Sequence, residues 1–282
     1  MAAIRRPKLI CPPGTTDCHV HVYGPTQLYP PAVTRSFDVP DALPSTLATV
    51  MDVLGVERVV LVQPSGYGTD NRRHLEAAAQ LGRPARVIAA LRADTPDNEL
   101  ARLNALGVRG VRYNIGHKGA VPIEEMPTLS RRIAKLGWHV QLHVMDDGGG
   151  APLAAMERTL MCLESEFVID HMGSLRPEEG VSQLGFQTLL RLIKTGRCWV
   201  KLSSSYRMSK MPAPYVDMLP YVNALLDIGS DRLLWASDWP HVSFKGKMPN
   251  TADLLDQMLT WLPDESTRQK ILVKNPEVLY GF

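Results

Sequence analysis

The chain is poor in the features that mark membrane, nucleic-acid-binding and disulfide-stapled proteins. None of its 282 residues fall in an apolar run near the ~20 residues that a membrane-crossing helix needs. Charge of one sign is scarce. Its 31 Lys and Arg against 29 Asp and Glu leave a formal +2, too little to argue for nucleic acid or an anionic membrane as partner. There are only four cysteines, Cys11, Cys18, Cys162 and Cys198. They stand far apart with no Cys-x-x-Cys pair, which predicts reduced thiols in a cytoplasmic protein. The first eight residues carry positive charge with no apolar core behind it, so no secretory leader is expected there. No Gly-x-Gly-x-x-Gly follows any predicted strand, which removes the usual reason to expect an open dinucleotide-binding sheet. No linker, sequence repeat or low-complexity tract is present either.

What is present is ordinary globular material, 45% apolar and 21% charged. The length suits one large α/β domain or two smaller ones equally. Residues 1–14 are polar and Pro-rich and read as an arm. Short apolar strands follow at 15–21, 58–63, 86–91, 108–114, 138–144, 167–171, 198–203 and 232–238. Helical patterns follow at 41–54, 69–81, 94–106, 123–136, 152–163, 182–195, 218–228, 251–262 and 265–273. Strands this short and apolar are buried on both faces, the mark of a parallel sheet covered by helices. Eight strand–helix repeats predict an α/β protein, a single-domain (β/α)8 TIM barrel spanning 15–282. The segment 22–44 has no periodicity and reads as a loop, of a length usual for functional or disordered segments.

In such a barrel the active site lies at the C-terminal ends of the strands. Strand one ends in His19-x-His21, two imidazoles that alternation puts on one face, with Cys18 and Val20 on the other. Arg112 and Asn114 close strand four, and His143 closes strand five. His171 follows strand six, Lys201 and Ser203 lie on strand seven, and Asp238 follows strand eight. Four histidines and an aspartate at one end point to a shared site. His139 lies about 13 Å below His143 at the rise of a strand and reads as core. His74 reads as a helix-surface residue, while His117 and His241 fall in loops on the active face.

Three runs carry a resemblance: TDCHVH at 16–21, VIDHMG at 168–173 and LWASDWPH at 234–241. They resemble the amidohydrolase superfamily, and most of all its 2-pyrone-4,6-dicarboxylate lactonase-like branch. That branch also holds sulfomuconolactone hydrolase, sugar-acid lactonases and a lactone isomerase. QPSGYGTDN at 63–71 and VRGVRYN at 108–114 fit the same branch. The resemblance implies a carboxylic ester hydrolase that opens a small anionic lactone, carboxylated or sulfonated, with water. It implies Asp238 as general base and His171 as the group that polarises the carbonyl or supports the base. Arg112 carries over as an anion anchor, Lys118 falls where the lactonases have another cation, and Arg207, Tyr206 and Asn114 are further candidates for substrate binding.

The pyrone lactonases are thought to work without metal and lack a strand-five histidine. Here that position is His143, which implies a ligand set of His19, His21, His143 and Asp238. One divalent ion is then expected, Zn2+ first and Mn2+ second, with Asp238 and His171 acting on water alone as the alternative. The competing activities are a lactone isomerase and a metal-dependent decarboxylase on the same site. A monomer and a homo-oligomer are equally admitted.

Overall fold

The computed structural model describes residues 4–145 and 150–282. The first three residues of the arm lie outside them.

Eight parallel strands run in the order of the chain: β1 (Thr16–Val20), β2 (Arg58–Val62), β3 (Ala85–Ala89), β4 (Val108–Ile115), β5 (His139–Val144), β6 (Phe167–Ile169), β7 (Cys198–Leu202) and β8 (Leu233–Trp235). The main covering helices are α1 (Pro44–Leu54), α2 (Arg72–Gln80), α3 (Asp97–Ala105), α4 (Met126–Ala134), α5 (Ala151–Met161), α6 (Leu184–Ile193), the short α7 (Ser205–Met208), α8 (Leu219–Ile228) and α9 (Thr251–Trp261). α1 shows how the sequence sets such a helix. Pro44 opens it, where a missing N–H costs nothing, and Gly55 closes it at φ 74°. Its buried stripe of Leu47, Val50, Met51 and Leu54 packs onto the sheet.

The apolar residues divide into two layers. Val59, Leu61, Val87, Val111, Leu142, Ile169 and Val200 face the helices in the large core. Val60, Val62, Ile88, Val168, Leu234 and Ala236 face the barrel lumen, stoppered by Leu279 and Tyr280 from the chain's end. His139 packs edge-to-face against Tyr280 with ring centroids 5.4 Å apart, in the lower layer that its position on β5 predicts.

Two expectations about side-chain direction fail. Cys18 lies in the lumen cluster with Val60 and Val62 rather than opposite the histidines. The cause is an irregularity in β1: Asp17 pairs Val59 but Val20 pairs Leu61, so three steps on one strand match two on the other. The extra residue turns Cys18 and His19 both inward. His74, expected on a helix surface, is wholly buried, because α2 turns Arg73, His74 and Ala77 inward.

The arm is tied to α9. Arg5 reaches Asp253 and Asp256, and Asp256 accepts the backbone N–H groups of Lys8 and Leu9. Among the described residues no helix is long and apolar enough to cross a membrane.

The barrel closes where the site lies. Asp238 donates its N–H to the His19 carbonyl at 3.0 Å, and His21 donates its own to the Trp239 carbonyl at 2.9 Å. Asp17, buried beneath, accepts from the N–H groups of His19 (3.2 Å) and Ser237 (3.0 Å). Burial pushes its carboxyl up to about 6.

Candidate active site

These closing bonds bring the end of β8 against the end of β1. The backbone there is unusual. Asp238 sits at φ 60°, His171 at 53°, Ser204 at 56° and His241 at 62°. Non-glycine residues in this region carry strain of order 1–3 kcal/mol each, which the surrounding packing has to offset. All four side chains turn toward one cluster.

The two oxygens of Asp238 have different surroundings. Oδ2 accepts from Ser204 Oγ at 2.8 Å, Tyr206 Oη at 2.7 Å and Arg207 Nε at 3.3 Å. Oδ1 faces three imidazole nitrogens: His19 Nε2 at 3.9 Å, His21 Nε2 at 4.0 Å and His171 Nε2 at 3.9 Å. Burial alone would raise this carboxyl, but neighbouring His171 and Arg207 outweigh burial and hold it well below the usual range. Burial lowers all three imidazoles, His21 to about 3.

Behind His19 lies a second carboxylate, Asp170, which the sequence reading passed over although it stands beside His171 in the VIDHMG run. Asp170 is fully buried and has four partners. These are His19 Nδ1 at 3.2 Å, Lys201 Nζ at 3.2 Å, Gln141 Nε2 at 3.1 Å and Arg112 Nη2 at 3.3 Å. Burial would raise its carboxyl, yet Lys201, His19 and Arg112 hold it well below the usual range.

Above these residues opens a cavity of about 470 Å³ whose lining includes His21, Arg112, His143, His171, Arg207 and Asp238. Asn114 lines it too, as do the loop residues Arg176 and His117. Tyr206 does not: its hydroxyl is committed to Asp238, and its ring packs against His241 and Phe244. His241 takes part from behind, with Nδ1 3.3 Å from Tyr206 Oη and Nε2 3.1 Å from Thr251 Oγ1. Arg207 stacks over Tyr206 and Phe244. Lys118 stands outside the cavity with its side chain exposed. After Gly116 turns at φ 84°, the Lys118 backbone N–H donates to Ser36 Oγ.

His143 is not where the expected ligand set needs it. Among the described residues, two groups bring their ligand atoms within 4.8 Å of one another: His19, His21 and Asp238, and His19, Asp170 and His171. His143 is in neither. On β5 it is Gln141, paired with Arg112, that stands level with His19 and Asp170. His143 lies one pleat higher, between His117 and His171, with ring centroids 5.1 and 5.2 Å away. Alternation gives the face of a side chain, but not its height relative to a strand across the barrel.

The donor set of the first group suits a cation. His21 Nδ1 is 2.6 Å from the Val62 carbonyl, which can only accept, so its Nε2 presents a lone pair to the site. His19 Nε2 is 3.2 Å from His21 Nε2, close to the separation of two nitrogens each about 2.0–2.1 Å from one ion. Asp238 Oδ1 adds a carboxylate, and nitrogen–oxygen sets of this kind take Zn2+ or Mn2+.

A family model described as amidohydrolase matches residues 16–282. The chain belongs to the amidohydrolase family. This amidohydrolase is 35% identical over 275 residues to a 4-sulfomuconolactone hydrolase of Rhizobium radiobacter, covering 96% of this chain and 91% of that protein. It is 31% identical over 274 residues to a D-galactarolactone isomerase of Agrobacterium fabrum, covering 95% and 91%. Its fold matches, at TM-score 0.80 and 28% identity, a crystal structure with citric acid bound. That protein, from Acinetobacter baumannii, is described as a probable 2-pyrone-4,6-dicarboxylic acid hydrolase, and the match covers 95% of this chain and 100% of the other.

Proposed function

We propose that this amidohydrolase opens a small anionic lactone by attack of water. The observation that carries the reading is the asymmetry of Asp238. Three donors on Oδ2 hold the carboxylate still and ionised, while Oδ1 is turned to the space among three imidazoles. A water there would lose its proton to Oδ1 as its oxygen bonds to the lactone carbonyl carbon. The ring C–O bond then breaks, and the proton passes from Asp238 to the departing ring oxygen. His171, steadied by a bond of 2.8 Å between its Nδ1 and Ser203 Oγ, faces the same space and is placed to stabilise the developing oxyanion.

His19, His21 and Asp238 would hold a divalent ion, Zn2+ before Mn2+. When bound, such an ion lowers the pKa of water to about 7 and polarises a carbonyl. Arg112, Arg207 and Arg176 make the cavity cationic, which supports an anionic substrate like those named for the hydrolase relatives. Four free cysteines support a reducing cytoplasm as its compartment.

The test is ring opening, followed by acid release, over a panel of sulfonated, carboxylated and neutral lactones. Turnover of anionic members that exceeds neutral ones supports the reading. Preference for neutral lactones, or no turnover of any lactone, would overturn it.

A further inference from the structure

His19 stands between two groups that ask opposite things of its ring. Nδ1 is 3.2 Å from Asp170 Oδ1, which can only accept, and 3.2 Å from Lys201 Nζ, which as an ammonium can only donate. Asp170, Lys201 and His19 are fully buried, so water offers no substitute partner. A neutral imidazole serves one of the two at a time. With its proton on Nδ1, the ring serves Asp170 and turns an Nε2 lone pair to the site. With its proton on Nε2, the ring accepts from Lys201.

The second form suits the protein whenever no cation is bound. It completes a chain of bonds. Lys201 Nζ donates to His19 Nδ1, His19 Nε2 donates to His21 Nε2 across 3.2 Å, and His21 Nδ1 donates to the Val62 carbonyl. Asp170 gives up the His19 proton at small cost, because Gln141, Arg112 and Lys201 still donate to it. The first form sets two lone pairs face to face at 3.2 Å, which is favourable only with a positive centre between them. Arg112 Nη2, 3.4 Å from His19 Nε2, is a weak substitute, since that contact is long and the same nitrogen also donates to Asp170 Oδ2 at 3.3 Å.

We infer that Lys201 and Asp170 are positioning residues that select the tautomer of His19. Lys201 holds the form in which the two histidines bond each other, and Asp170 holds the form in which both can bind a divalent cation. No group changes charge; one proton leaves Nε2 and one appears on Nδ1 of the same ring. The inference rests on the proposed role of His19 and His21 as cation ligands. Binding therefore includes the cost of releasing His19 from Lys201, and the two residues act on cation affinity with opposite sign.

The test uses full-length protein stripped of metal. Zn2+ affinity is measured by competition with a chromophoric chelator, and the His19 tautomer by ¹⁵N NMR of histidine-labelled protein. Expected are about 10-fold tighter Zn2+ in Lys201→Met and roughly 10–100-fold weaker Zn2+ in Asp170→Asn, the usual scale for partners behind a ligand. In the wild type the proton is expected on Nε2 without metal and on Nδ1 with Zn2+. The NMR reading needs no variant, so a failure of Asp170→Asn to fold leaves the test intact. Affinity changes of the same sign, or an Nδ1 proton in the metal-free wild type, would overturn the selector alone. A wild type that binds no Zn2+ would remove the ligand role and the selector with it.

Discussion

Tyr206 Oη donates to Asp238 Oδ2 at 2.7 Å, and that bond helps decide which oxygen of the carboxylate is left for chemistry. The aspartate emerges from β8 at φ 60°, so its backbone is strained where its side chain is most restrained. Tyr206 is in turn backed by His241, which reaches Thr251 at the start of α9. The site is thus braced from the helix layer as well as from the barrel.

Asp238→Asn removes the proton acceptor, so kcat should fall 10²–10⁴-fold, the usual contribution of a general base. Tyr206→Phe removes one of three donors and leaves the base in place. A bond to a charged group is worth about 1.5–3 kcal/mol, so kcat should fall roughly 10–100-fold with KM little changed. Steady-state kinetics on both variants, with circular dichroism to check folding, decide the point. A Tyr206→Phe enzyme as impaired as Asp238→Asn would mean that the phenol itself acts on substrate.

Arg112 and Lys118 should behave differently. Arg112 lines the cavity and also bonds the Gln63 carbonyl and Asp170. Arg112→Met should raise KM and also cost about 3–5 kcal/mol of stability, because Asp170 loses a buried partner. Lys118→Met should alter neither KM nor kcat by more than about 2-fold, as expected of a solvated surface charge. Denaturant unfolding beside Michaelis kinetics separates the effects. A large rise in KM for Lys118→Met would show that its loop folds over the substrate.

All eight histidines of the chain are held below their ordinary pKa, burial being the leading cause in each. His21 and His139 fall to about 3, and His117 and His241 to about 4. The unfolded chain protonates them near pH 6.5, so it binds more protons than the fold below that pH. Stability is then fully present above about pH 6.5 and drains away as the pH falls toward 4. Asp17 works the other way, since its folded value near 6 favours the protonated fold. The lowered histidines outnumber this one aspartate, so the net effect is a loss of stability as the pH falls from about 6 to 4. Denaturant unfolding from pH 7.5 to 4.5 should show this loss, and constant stability over that range would contradict it.

Much of this was legible in the sequence because the strands are short, apolar and separated by helical periods. Each inward polar residue at a strand's end therefore announced itself, as His171, Arg112 and Asp238 did. The height of His143 was not legible, because it depends on how β5 is staggered against β1 across the barrel. Cys18 was misplaced by one irregular step in β1, which no period reveals. Lys201 was visible as a polar residue on a strand, but its purpose needed Asp170 opposite it. Tyr206 was expected to bind substrate; its bond to Asp238 instead was not legible, because it spans 32 residues and depends on the turn at Ser204.

The most direct measurement follows the fate of water. The enzyme is incubated with an anionic lactone in ¹⁸O-labelled water, and product mass is read at early times. Attack of water on the carbonyl predicts a product heavier than substrate by one labelled water, with ¹⁸O in the new carboxylate and none in the hydroxyl. Loss of the reaction in Asp238→Asn should accompany it. A product of unchanged mass would mean isomerisation, and loss of CO2 would mean decarboxylation. Either would contradict hydrolysis at this site.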